Sequence, residues 1–165
     1  AYLEVKSDEK HPFFVVTDQA SITVIGTSFN VRGYHGEERC EVALRTGKVL
    51  VDRGNGQKKV ILTPGKSALL DKTRGKLAVE KHNPTVVFGW IHDDYIFQNK
   101  TLQEICNELS RLYREKIIID SPQLAGKRFY VRFDRKKPLS SLLAYLYDTE
   151  SLNYYRASNN EWHIH

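Results

Sequence analysis

Apolar and polar residues alternate with period two through residues 1 to about 82, and this predicts strands and turns throughout that half of the chain. The expected strands are Ala1–Val5, Phe13–Thr17, Ser21–Ile25, Thr27–Arg32, Cys40–Arg45, Lys48–Asp52, Lys59–Leu62, Lys66–Leu70 and Lys76–Glu80. Gly33, Gly36, Gly47, Gly54-Asn55-Gly56, Gly65 and Gly75 punctuate them as turn residues. A loose repeat is visible, in which "AYLEV" followed by "FFVV" recurs as "GKVLV" followed by "VILT". Short repeated strands with glycine corners imply stacked or sandwiched hairpins that share one core.

One break in the alternation stands out. Ile22, Val24, Phe29 and Val31 read as half-buried strand, but Gly26-Thr27 interrupts them. A glycine inside a strand pattern marks a bulge or a close backbone approach. Shape is therefore the first reading of Gly26.

After residue 82 the period changes. Val86–Trp90 and Tyr95–Gln98 read as strands, and Thr101–Arg114 reads as a helix whose Leu102, Ile105, Cys106, Leu109, Leu112 and Tyr113 share one face. Thr101 and Glu104 have the spacing of a capping box, each side chain serving a backbone N–H at the helix start. Lys116–Asp120, stopped by Ser121-Pro122, and Arg128–Asp134 are further strands. Pro138 stands at a first helical position and opens a second helix with the face Leu139, Leu142, Leu143, Leu146 and Tyr147. Leu152–Arg156 and Glu161–Ile164 close the chain as a hairpin. Phe97, Leu102, Ile105 and Leu109 are echoed by Phe133, Leu139, Leu142 and Leu146, so the order β-α-β-β-α-β-β is a duplicated βαβ unit. The expected fold is α+β, with a β-rich lobe over 1–82 and a two-helix lobe over 83–165.

Composition narrows the classes. With 41% hydrophobic and 27% charged residues, the 165-residue chain has material for a buried core and is not a disordered segment. No apolar run reaches the roughly 18 residues that span a bilayer. The sequence has no methionine, which implies a fragment or a processed product. Cys40 and Cys106 fall in different predicted lobes and read as two independent buried thiols. The net charge of +5 is modest, and its densest run, Arg135-Lys136-Lys137, reads as a solvated face.

Catalytic chemistry is sparse. His11, His35, His82 and His92 have no ligand spacing, and His163 with His165 would need a third ligand to hold a metal. Asp93-Asp94 reads as a turn. No phosphate loop, nucleophile elbow or zinc signature occurs, so neither an enzyme, a cofactor nor a metal is expected. One alternative is an RNA-recognition module, because "GKRFYVRF" on the third strand of a βαββαβ order has some likeness to its base-stacking motif. Only Tyr130 meets that motif's aromatic requirement. Phe129, Val131 and Phe133 alternate together and fit the core face.

Several blocks carry a family resemblance. "AYLEVKSDEKHPFFVVT", "ASITVIGTSFNVR", "EVALRTGKVLV" and "LTPGKSALL" resemble the periplasmic part of FecR-type anti-sigma regulators. Trp90, Phe97, "TLQEICNELSRLYREKIIID" and "RFYVRFDRKKPLSSLLAYL" are similar to the C-terminal domain of those proteins, itself similar to the secretin and TonB N-terminus domain. One departure is Asp93-Asp94, where the family often has Asn-Gly after the tryptophan.

The resemblance implies a relay. A single-pass inner-membrane regulator of a Gram-negative bacterium would receive, on its periplasmic side, the signalling domain of an outer-membrane TonB-dependent transporter. It would thereby control an extracytoplasmic-function sigma factor, which its cytoplasmic part would hold. The present segment would itself contact neither membrane nor nucleic acid. The solvent face of Arg128, Tyr130 and Arg132 is the expected docking surface, since Tyr and Arg are frequent interface anchors. Some family members are also split at the pair matching Gly26-Thr27. A Thr hydroxyl attacking the preceding carbonyl would give an ester that water cleaves, so Gly26 and Thr27 are candidates for self-cleavage.

Overall fold

The computed structural model describes residues 1–35, 37–54 and 59–165; the predicted turns at Gly36 and Asn55-Gly56 lie outside the described residues. The chain forms two compact units, Ala1–Ile91 and His92–His165.

The first unit is built from nine strands among the described residues: β1 Tyr2–Glu4, β2 Phe13–Val16, β3 Ser21–Val24, β4 Ser28–Arg32, β5 Arg39–Thr46, β6 Val49–Asp52, β7 Lys59–Leu62, β8 Lys66–Asp71 and β9 Lys76–Lys81. They pair antiparallel in two sheets, ordered β1-β4-β5-β8-β9 and β2-β3-β6-β7. The period-two pattern explains the register. Ile22 and Val24 on β3, Phe29 and Val31 on β4, Val42 and Leu44 on β5, Val49 and Val51 on β6 all enter one buried cluster. Each such side chain contributes roughly 1.5–3 kcal/mol on burial.

The chain changes sheets between β3 and β4, again between β5 and β6, and again between β7 and β8. Gly26, Gly47 and Gly65 stand at these three corners, with φ of 133°, 87° and 81°. All three values lie where a side chain is disfavoured.

Residues 86–90, expected as a strand, are not one. Pro84–Phe88 is a short helix, α1, continued by a 3₁₀ turn over Gly89–His92. Asn83 caps it by accepting from the Thr85 N–H at 3.0 Å, and Pro84 supplies helical φ in the first turn. The β-branched Val86 and Val87 favour extended backbone, but the tertiary anchor overrides them. Phe88 is buried edge-on against Tyr2, 5.9 Å between ring centroids, and against His82 at 5.4 Å.

The second unit runs β10 Asp94–Thr101, α2 Leu102–Tyr113, β11 Lys116–Ile119, α3 Pro122–Ala125, β12 Arg128–Asp134, α4 Leu139–Glu150, β13 Tyr154–Ser158 and β14 Glu161–Ile164. The strands divide between an antiparallel ribbon β10-β12 and a three-stranded sheet β11-β14-β13, in which β11 and β14 are parallel. Each long helix therefore leaves the ribbon and delivers the chain to the other sheet, once through α2 and once through α4. The echoed residues meet in one cluster, with Phe97 and Phe133 5.5 Å apart across the ribbon.

The capping box forms as the spacing predicts. Glu104 N–H donates to Thr101 Oγ1 at 3.1 Å, and Thr101 N–H donates to Glu104 Oε2 at 2.9 Å. Pro138, expected as the first helical residue, is instead the N-cap of α4, one position before the helix begins at Leu139. Tyr147, expected on the buried face of α4, is 52% exposed, so the apolar stripe stops at Leu146. The short α3 was not expected; Pro122 opens it and its backbone fills the step from β11 to β12. Cys40 and Cys106 are buried free thiols, one in each unit's core. Burial pushes the Cys106 thiol up to about 12, which keeps it protonated.

Candidate docking surface

The ribbon register fixes what β12 presents. Arg132 lies opposite Ile96, Val131 opposite Phe97, and Phe129 opposite Lys100, with an irregularity between Phe97 and Lys100 where Asn99 adopts φ 53°. Alternation then buries Phe129 and Val131 and turns Arg128, Tyr130 and Arg132 to solvent. Tyr130 is 70% exposed, the most exposed aromatic among the described residues. The three residues predicted for docking thus share one face of one strand.

The two arginines are held rather than free to sweep. Arg132 donates through Nε and Nη2 to the two carboxylate oxygens of Asp94 at 2.8 and 2.9 Å. That fork holds the Asp94 carboxyl below the usual carboxylate range. Arg128 Nη1 donates to the Asn99 carbonyl at 2.7 Å. Asp93 takes the left-handed conformation, φ 62°, just before β10, so the Asp pair meets the backbone demand that Asn-Gly would meet. Asp93 joins the 3₁₀ turn to β10, which Asp94 opens, so the pair is not a turn between two strands.

Beside this face lies a groove of about 490 Å³, lined among others by Asp94, Tyr113, Arg132, Phe133, Lys137 and Tyr145. Tyr113 Oη closes one wall by donating to the Lys137 carbonyl at 2.8 Å. Sequence reasoning missed this groove, since its walls come from β10, α2, β12 and α4.

It also missed a charge signal that was present. From Lys127 to Lys137, Lys127, Arg128, Arg132, Arg135, Lys136 and Lys137 stand against Asp134 alone, a balance of +5 that equals that of the whole chain. Counting charge by strand and adjoining turn, rather than by uninterrupted run, would have found it.

Gly26 and Thr27 sit far along the sequence from that ribbon, at the sheet-switching corner between β3 and β4. A Cβ on Gly26 would stand 2.7 Å from Ser7 Cα, and one on Gly47 would stand 2.6 Å from the Gly26 carbonyl oxygen. Thr27 is buried, its N–H donates to the Val5 carbonyl at 3.1 Å, and its hydroxyl donates to the Lys48 carbonyl at 3.0 Å. Two glycine corners are therefore stacked on one another, with Thr27 tying them together. The geometry favours shape as the role of this pair.

His163 lies between Asp120, 2.6 Å from Nδ1, and Glu161, 3.3 Å from Nε2. No three His, Cys, Asp or Glu side chains gather as metal ligands among the described residues. The base-stacking alternative requires one four-stranded sheet with several outward aromatics. Here the strands divide between two sheets, and Phe129 is in the core.

The family described as FecR protein matches residues 1–50, and the one described as FecR, C-terminal, matches residues 94–164. Two crystal structures of a candidate anti-sigma factor from Parabacteroides distasonis ATCC 8503, at 1.65 and 2.50 Å resolution, are similar to the chain at 27% identity. They superpose with TM-scores of 0.87 and 0.86 over 99% of this chain and 76% and 75% of theirs. No curated protein matches the sequence.

Proposed function

We propose a function from one premise: the chain belongs to the FecR family and is part of an anti-sigma regulator. In this reading it is the signal-receiving region. It stands on the periplasmic side of the inner membrane and docks the signalling domain of an outer-membrane TonB-dependent transporter. Docking then changes the hold of the regulator on an extracytoplasmic-function sigma factor. No helix among the described residues is long and apolar enough to cross a membrane.

The observation that carries the reading is the exposed Arg128, Tyr130 and Arg132 face, on a ribbon of only two strands, within the segment matched to the C-terminal family domain. A relay needs a surface that its own fold leaves unsatisfied, and exposed strands with aromatic and arginine anchors supply one.

Titration calorimetry of the chain against the transporter signalling domains of the same genome tests it, with a single-stranded RNA pool beside them. Saturable binding to one domain is expected. Tyr130→Ala with Arg132→Ala should weaken that binding by about 30-fold or more, as loss of interface anchors does. The melting temperature should hold, because the Arg132–Asp94 pair is at the surface and such pairs contribute only about 0–1 kcal/mol. Phe14→Thr with Ile61→Thr, on the outer face of the β2-β3-β6-β7 sheet, is the control that should leave binding unchanged. Silence from every domain, or salt-sensitive RNA binding in its place, would sink the relay.

A further inference from the structure

We propose that β12 accepts an acidic, extended segment of the partner as a third strand of the β10-β12 ribbon. This rests on the docking reading and names the chemistry of what docks.

The first argument is the edge. β12 is seven residues long, contains no proline, and pairs with β10 on one side; no strand pairs with its other side among the described residues. Alternate N–H and C=O groups along that side point outward, and an added strand answers both kinds in register, in place of water.

The second argument is the charge. Arg132 is paired with Asp94, and Lys136 lies 3.9 Å from Asp93. Arg128 and Arg135 donate to the neutral carbonyls of Asn99 and Leu112. The ammonium groups of Lys127 and Lys137 have no ion-pair partner among the described residues. Four cations thus lack an ion-pair partner, Lys127 and Arg128 at one end of the strand, Arg135 and Lys137 beyond the other, with Asp134 the one carboxylate among residues 127–137.

Edge strands are protected from one another by such charges. Two copies of β12 laid side by side would repel, and a neutral strand would leave the cations unanswered. An acidic strand meets both requirements. The same residues that keep this edge from self-pairing therefore set the sign of the partner.

The third argument is the pattern on the outward face. Tyr130 stands between Arg128 and Arg132 at period two. Side chains directly opposite or diagonal across an added strand are in reach of these three. The matching segment has acidic residues at its two ends and an apolar residue between them, all on one face. Nucleic acid or an anionic membrane would answer the charge but not the row of backbone groups.

The test uses the whole chain and a blocked peptide, Thr-Glu-Thr-Val-Thr-Glu-Thr, with three comparators: a peptide with Lys for Glu, the parent N-methylated at alternate residues, and anionic phosphatidylglycerol vesicles. Saturation by the acidic peptide with slowed exchange of alternate β12 amides is expected. The lysine and N-methylated peptides should each bind about tenfold or more weakly, and so should the Arg128→Glu variant towards the acidic peptide. Equal binding of the N-methylated peptide would mean that charge acts without strand addition. Equal binding of the lysine peptide, no saturable binding of the acidic one, or tighter binding to vesicles would each overturn the proposal.

A transporter domain found by calorimetry separates the two levels. If it binds but is indifferent to Arg128→Glu and slows no β12 amide, strand addition is wrong and docking stands. If the acidic peptide adds to β12 while no transporter domain binds, the edge chemistry stands and the relay fails.

Discussion

Replacing Gly47 by alanine separates two reasons for having glycine at a sheet corner. Gly47 and Gly65 have nearly the same backbone, φ 87° and 81°, at two successive sheet-switching corners. The space around them differs. A Cβ on Gly65 meets nothing within 4 Å, whereas one on Gly47 would stand 2.6 Å from the Gly26 carbonyl oxygen and 3.0 Å from Thr27 Oγ1. Positive φ alone costs an L-residue about 1–2 kcal/mol. Overpacking against backbone that cannot rotate away adds about 1–3 kcal/mol. Gly65→Ala should therefore lose only the first amount, and Gly47→Ala about 2–5 kcal/mol in all. In a unit spanning Ala1–Ile91, each kcal/mol moves the thermal midpoint by roughly 4–8 °C, so the two variants should differ by roughly 10 °C. Urea titration followed by amide exchange reads the loss locally. Exchange in β4 and β5 should rise sharply in Gly47→Ala, while α2 and α4, which belong to a separate core, hold their protection. Equal losses from the two variants would refute the stacked-corner argument and leave positive φ as the sole reason for glycine.

Three further outcomes follow from local geometry. Thr101→Ala removes one half of a formed capping box and should lower the stability of the second unit by about 1 kcal/mol, measured by urea unfolding, with Thr101→Ser recovering most of it. His163 has its pKa raised above the ordinary 6.5 chiefly by its hydrogen bond to Asp120, so it binds its proton more tightly folded than unfolded. The stability it contributes is fully present below pH 6.5 and fades as pH rises through the higher folded value. The difference in urea midpoint between the wild type and His163→Gln should shrink over that interval, and a pH-independent difference would contradict the assignment. The Thr27 hydroxyl is engaged with the Lys48 carbonyl, so the purified chain should keep a single full-length mass over days of incubation, as should Thr27→Ala. Appearance of a product split after Gly26 in the wild type alone would show the hydroxyl acting as a nucleophile.

Much of this fold was legible because its determinants are local. The alternation of Ile22, Val24, Phe29 and Val31 needs only neighbouring residues to be read, and all four are in the core. The Thr101–Glu104 box and the stripe from Leu102 to Leu109 are equally short-range. The failures came where a distant contact decides. Val86 and Val87 favour extended backbone, but Asn83 and Pro84 start a helix that Phe88 anchors on Tyr2, far away in sequence. Gly26 reads in the sequence as a bulge or a close backbone approach, and the close approach is there, 2.7 Å from a Cβ at Gly26 to Ser7 Cα, but its place between sheets is not legible. Gly26 is the point at which the chain leaves one sheet for the other, which no single-strand pattern reveals.

The docking face illustrates the same division. Alternation along Arg128–Asp134 assigns Phe129 and Val131 to the core and Tyr130 to solvent without any knowledge of partners, and the burial agrees. What the strand pairs with is not local. An RNA-recognition sheet and this ribbon can share the order β-α-β-β-α-β, yet in one the third strand lies inside a four-stranded sheet and in the other it is left at an edge. That pairing decides what the basic residues do. Inside a sheet, their backbone would be satisfied and their charge would address only a surface lying over the face. At an edge, charge and unpaired backbone act together. The partner proposed for them, a chain of opposite charge able to extend, follows from that combination, in which the topology of one strand would turn an ordinary basic surface into a selective one.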